Sequence, residues 1–117
     1  MKTSELQGAA LDWAVHIAQG LSEEAFVIVD SLYGPQWRGP EYSTSWQEGG
    51  PIIERERIDV LGMVNGEKGP WTACVRKWDS PPPWRHIAKG PTPLLAAMRC
   101  FVASRLGDEV DIPEELK

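Results

Sequence analysis

Apolar residues recur at helical spacing near the start of the chain: Leu6, Ala9, Ala10, Trp13, Ala14, Ile17 and Ala18 share one stripe, while Glu5, Asp12 and Gln19 fall elsewhere. The spacing predicts a first helix over 4–19. Ser4 followed three residues later by Gln7 reads as a capping box, and Gly20 as a stop. Gly8 inside that helix costs about 1 kcal/mol relative to alanine unless another backbone packs closely against it. The period then changes. Ala25-Phe26-Val27-Ile28-Val29 is a short β-branched run bounded by acidic and turn residues, and it predicts a strand. From Leu32 to Gly50 neither period holds, because Gly34-Pro35, Gly39-Pro40 and Gly49-Gly50 interrupt it. A long loop is expected there, although it carries Tyr33, Trp37, Tyr42 and Trp46.

Regular patterning returns at Ile58–Val64 and Trp71–Trp78, two apolar, β-branched segments flanking Asn65-Gly66-Glu67-Lys68-Gly69. They predict an antiparallel hairpin with a loop slightly longer than the tightest kind. Ser80-Pro81-Pro82-Pro83 is extended, since consecutive prolines exclude helix and cannot donate to a ladder. The second helix is the most completely written element. Thr92 can cap its first turn, Pro93 suits the first helical position, and Gly107 can take the left-handed conformation that ends it. Its apolar residues, Leu94, Leu95, Ala97, Met98, Phe101 and Val102, cover more than half the circumference, so this helix is expected to lie deepest. The reading is an α+β domain in the order α-β-loop-β-β-α. It has a small antiparallel sheet of about three strands, with the N- and C-terminal helices packed on one face. Residues 1–107 form this single domain and 108–117 an acidic tail, in which Val110 and Ile112 are placed to touch the body.

Composition adds limits. The 117 residues are 42% hydrophobic and 25% charged, enough for one modest core. No apolar run approaches the roughly 20 residues that cross a bilayer, and the first residues lead into an amphipathic helix rather than a signal peptide. A cytoplasmic location without membrane contact is therefore expected. Cys74 and Cys100, the only cysteines, sit among apolar neighbours and read as reduced core thiols. A net charge of −5 opposes general nucleic-acid binding. The charge is uneven, however. Asp108, Glu109, Asp111, Glu114 and Glu115 crowd the C-terminus, while Arg76, Lys77, Arg85 and Lys89 surround only Asp79.

The sequence contains no zinc spacing, P-loop or dinucleotide fingerprint, so no cofactor or metal is implied. His16 and His86 have no nucleophile or acid at a spacing that suggests a triad, and read as a surface or half-buried residue and a loop residue. Tryptophan is the stronger signal. Packing accounts for Trp13 and Trp71 and can account for Trp78, whereas Trp37, Trp46 and Trp84 fall in irregular segments, where exposed indoles and arginines mark binding hot spots. Each could instead fold back as a lid over the sheet, a reading level with contact for Trp84 and ahead of it for Trp46. Arg76-Lys77-Trp78 and Trp84-Arg85-His86 bracket the prolines in the basic and aromatic mixture used by single-strand nucleic-acid grooves, or in ordinary cation–π contacts. Gly49-Gly50-Pro51-Ile52-Ile53-Glu54-Arg55-Glu56-Arg57 is better explained as a turn that anchors Ile52 and Ile53 than as a recognition loop.

Three blocks occur together in this chain: Met1–Leu6 running into Leu11–Val15, then Trp46–Glu56, then Gly90–Leu94 running on to Gly107–Val110. In that combination the chain resembles the NinX-like family of small bacteriophage and prophage proteins, a family of unknown function. The resemblance covers nearly the full chain and implies phage origin and residence in a bacterial cytoplasm; it carries over no catalytic residue. The expectation is a non-enzymatic accessory protein that docks a host or phage protein through Trp37, Arg38, Trp46, Arg76, Lys77, Trp78, Trp84 and Arg85. The alternative is a nucleic-acid contact through Arg76, Lys77, Trp78, Trp84, Arg85 and Lys89. Oligomeric state is left open.

Overall fold

Thr92 and Gly107 delimit the longest helix, α3 (Pro93–Leu106), as expected: Thr92 Oγ1 accepts from the Leu95 amide at 3.1 Å, and Pro93 occupies the first turn. Gly107 has φ +88 and ψ −168, a positive-φ conformation open to glycine but not the left-handed helical one anticipated. The computed structural model describes residues 1–21, 28–31, 34–64, 67–76 and 83–116. Along them run α1 (Gly8–Ala18), β1 (Ile28–Ser31), β2 (Gly34–Trp37), α2 (Trp46–Glu56), β3 (Ile58–Val64), β4 (Glu67–Arg76), β5 (Trp84–Gly90) and α3, with short 3₁₀ turns at Thr3–Glu5 and Glu114–Leu116. The fold class is α+β, with a three-stranded antiparallel sheet in the order β3-β4-β5.

Several boundaries differ from the sequence expectation. The first helix begins at Gly8, with Gln7 rather than Ser4 at its N-cap and no side-chain cap. Gly8 has φ +57 and nothing within 4 Å of a would-be Cβ. It therefore serves the angle between the 3₁₀ turn and the helix, not a close contact. The expected loop holds β2 and α2. Residues 25–27 of the expected first strand, Tyr33, Asn65-Gly66, Lys77-Trp78 and 80–82 lie outside the described residues; Ile28 and Val29 belong to β1, which pairs antiparallel with β2 as a separate two-stranded sheet.

Helix α2 forms in spite of Gly49-Gly50-Pro51. A Cβ on Gly49 would lie 2.3 Å from the Tyr42 carbonyl oxygen and 2.7 Å from Leu94 Cδ1, so only glycine lets the helix sit this close to α3. Pro51 faces solvent, Ile52 is buried and Ile53 half-buried. The block is structural, but as a helix rather than a turn. Arg57, in the left-handed conformation (φ 54, ψ 50), ends it.

Strand β3 matches its expected span, while β4 starts at Glu67 rather than Trp71. Between the pairs Leu61↔Thr72 and Met63↔Lys68, β3 advances two residues and β4 four, so the extra length bulges around Pro70, where no ladder N–H is required. Strand β5, read from sequence as irregular chain with His86 in a loop, pairs along β4 from Trp71↔Gly90 to Arg76↔Trp84. It carries its own bulge: from Ala88↔Ala73 to Arg85↔Val75, β5 advances three residues to the two of β4, with His86 at φ +55.

The helices all lie on one side of the sheet. Helix α3 packs on β3, β4 and β5, while α1 and α2 pack against α3. Its Leu94, Leu95, Ala97, Met98, Phe101 and Val102 are all buried, meeting Leu11, Ala14 and Val15 of α1 and Ile58 and Ala73 of the sheet in one core. Asp12 and His16, expected off the apolar stripe or near the surface, are buried as well. The Ser43 amide donates to Asp12 Oδ1 at 2.8 Å, and His16 Nδ1 lies 3.4 Å from the Tyr42 hydroxyl, tying α1 to the turn before α2. After Gly107 the chain stays attached. Val110 and Ile112 are buried, Met1 and Val110 exchange two backbone hydrogen bonds at 3.0 Å, and the Thr3 amide donates to the Asp108 carbonyl. Cys74 and Cys100 are both free and buried.

Candidate functional site

With every helix on one side, the other face of the sheet has no covering layer among the described elements. Strand alternation decides what stands on it. Ile58, Val60, Ala73, Val75 and Ala88 point to the helices and join the core. Leu61 of β3, Thr72, Cys74 and Arg76 of β4, and Trp84, Ile87 and Lys89 of β5 line a concavity of about 420 Å³ on the opposite face. Register sets Leu61, Thr72 and Lys89 in one row and Arg76 beside Trp84 in another. Leu61 is 44% exposed, Trp84 55% and Ile87 58%. Large apolar side chains at these levels, gathered in one place, form the kind of patch that marks a contact surface.

The polar groups of this face are few. Asp59 ion-pairs with Arg76. Thr72 is buried and its Oγ1 has no hydrogen-bond partner among the described residues, an unmet donor and acceptor at the floor of the concavity. Cys74 is close to the same floor, and burial pushes its thiol above the ordinary range. Burial pushes the Cys100 thiol up to about 12. Neither is a ready thiolate at neutral pH.

The residues singled out from sequence separate into distinct places. Arg76 and Trp84 are cross-strand neighbours on the open face. Arg85 is half-buried opposite Val75. Trp37 is half-buried: its indole N–H donates to the Pro40 carbonyl at 3.1 Å, and its ring stands edge-on to His16 with centroids 5.7 Å apart. It lies so close over Gly39 that a Cβ there would be 2.2 Å from its Cζ2. Arg38 is exposed beside it. Trp46 is exposed in the first turn of α2, against Gly50. Lys77 and Trp78 lie outside the described residues.

Leu61, Thr72, Cys74 and Ile87 are the members of the face that the sequence reading did not select as site residues. The signal for Ile87 was present, since Ile87-Ala88-Lys89-Gly90 alternates large and small residues as a strand with one packed face does. Among the described residues no three His, Cys, Asp or Glu side chains are grouped to hold a metal ion, and no helix is long and apolar enough to cross a membrane.

The family model described as "Bacteriophage P22, NinX" matches residues 2–105. No curated protein matches the chain.

Proposed function

Since the chain belongs to the NinX family of bacteriophage proteins, we propose that it is a phage accessory protein acting in the bacterial cytoplasm as a non-enzymatic binding module. It holds a partner protein against the open face of its sheet. The observation that supports this reading is the cluster of exposed Leu61, Trp84 and Ile87 around the unsatisfied Thr72 hydroxyl. A docked protein would cover the three apolar groups and supply a hydrogen-bond partner to Thr72, and Trp84 has the size and polar N–H of a hot-spot residue. Lys89 beside the Asp59–Arg76 ion pair favours a partner surface that mixes apolar side chains with an acidic one.

Nucleic acid is the weaker reading. Arg76 is committed to Asp59, Arg85 is half-buried, and the whole chain carries −5.

The test is capture from phage-carrying cells with tagged wild-type protein, Trp84→Ala, and Trp46→Ala as a second exposed indole. Trp84 is more than half exposed, so its truncation should change stability by no more than about 1 kcal/mol. A stoichiometric partner should be retained by the wild type and by Trp46→Ala and lost with Trp84→Ala. Equal retention by all three proteins contradicts the proposed face.

A further inference from the structure

Strand β5 pairs only with β4 among the described residues, so its other edge is unpaired. A cleft of about 780 Å³ runs along that edge. Pro70 and Ile87–Pro91 form one wall, and Lys2–Ser4, Arg99 and Ala103 the other, with Asp108 and Glu109 also lining the cleft. The Lys89 carbonyl accepts from Arg99 Nη1 at 2.8 Å, and both residues line the cleft. Arg99 Nε donates to the Leu6 carbonyl at 2.8 Å, which fixes the guanidinium against the cleft. Its Nη2 has no partner, and neither Arg99 nor Lys89 has an ion pair, among the described residues.

An unpaired edge offers backbone groups to any extended chain, and its charges decide which chain is accepted. Strand β5 (Trp-Arg-His-Ile-Ala-Lys-Gly) contains Arg85 and Lys89 and no acid. A second copy pairing antiparallel about Ile87 would set Arg85 opposite Lys89, so charge opposes self-pairing. An acidic strand meets the opposite situation: Lys89 and the fixed, unmatched Arg99 stand ready for its carboxylates.

We propose that the unpaired edge of β5 accepts an extended acidic segment of a partner protein as a fourth strand, with the segment's carboxylates received by Lys89 and Arg99. This deepens the reading of the protein as a binding module but uses the strand edge, not the face around Trp84.

The test uses a fluorescent heptapeptide of alternating glutamate and valine, read by anisotropy against the full chain. Five further molecules separate the contributions: a lysine–valine counterpart, two glutamate–valine peptides with alternate backbone nitrogens methylated in one register or the other, and the variants Lys89→Gln and Lys89→Pro. The glutamate–valine peptide should bind at least about tenfold tighter than the lysine–valine one, and N-methylation in one register should weaken it about tenfold or more. Lys89→Gln, which keeps the edge N–H, should weaken binding about threefold. Lys89→Pro, which also removes that N–H, should weaken it about tenfold or more. Should Lys89→Pro fail to fold, the methylated peptides decide on the wild-type protein alone. Absence of saturable binding at millimolar peptide, equal binding of both charge types, or indifference to methylation in both registers overturns the proposal. Trp84→Ala is carried alongside, since its effect on partner capture reports on the face and leaves the peptide result at the edge independent.

Discussion

Two adjacent glycines show how closely single residues are constrained. Gly49 and Gly50 are neighbours in the same helix, yet a Cβ on Gly49 would collide with the Tyr42 carbonyl and Leu94, whereas one on Gly50 would meet only Trp46 Cε3 at 3.9 Å. The first is needed for close packing and the second is not. Gly49→Ala should therefore destabilise the protein by about 1–3 kcal/mol, because backbone and a buried leucine must move. Gly50→Ala should stabilise it by about 0.5–1 kcal/mol, through the conformational freedom that alanine removes from the unfolded chain. Urea unfolding of the pair checks both signs. Equal effects would mean that α2 does not approach α3 as closely as described. Trp37 and Trp84 make a second contrast. Identical side chains in segments that look equally irregular in sequence end up differently, one with its N–H spent on Pro40 and the other more than half exposed.

Between elements, the most consequential contact is the buried polar one joining α1 to the turn before α2. Desolvation holds the Asp12 carboxyl above its ordinary pKa, with the hydrogen bond from the Ser43 amide opposing the shift. A carboxyl whose folded-state pKa is raised contributes stability that is fully present below its unfolded value, and that stability is lost as pH rises through the folded value. Glu56 has the opposite sense, since its hydrogen bond from Arg105 holds it below the ordinary range; its contribution is present above the unfolded value and lost as pH falls. The two are separated by Asp12→Asn, which keeps an oxygen for the Ser43 amide and cannot ionise. Relative to wild type, this variant should gain stability as pH rises from about 3.8 through Asp12's raised value, then level off. A difference independent of pH would contradict the buried carboxylate.

The same scale shows what was legible in the sequence. Helix α3 was legible because its cap, first-turn proline and terminal glycine are local signals that tertiary packing did not override. Strand β3 was legible from β-branched content, but β5 was not, because the bulge at His86 breaks its alternation and the prolines before it made the segment read as irregular. Helix α2 was hidden by Gly49-Gly50-Pro51, whose glycine is explained by a contact with Leu94, 45 positions away in sequence (94 − 49). Of the candidate site, Arg76 and Trp84 were within reach of sequence reasoning. Their joining with Leu61, Thr72 and Ile87 depended on a strand that had not been recognised.

At the scale of the whole molecule, the layers explain the location of the site. Helix α3 is saturated by the sheet on one side and by α1 and α2 on the other, and the paired termini close the end of the core. Nothing comparable covers the opposite sheet face among the described residues, although large apolar groups stand on it. An antiparallel sheet can leave one face to solvent, but that face is then ordinarily polar. Here it carries Leu61, Trp84 and Ile87 beside the Asp59–Arg76 ion pair and Lys89, which fits a surface completed by another protein.

Site-specific photo-crosslinking in phage-carrying cells tests that claim most directly. A photoreactive phenylalanine analogue is placed in turn at Trp84, at Ile87 and at Leu21, an exposed residue just beyond α1. The account predicts one discrete protein adduct from positions 84 and 87 and none from 21. No adduct at 84 and 87, or the same adducts from all three, would contradict it.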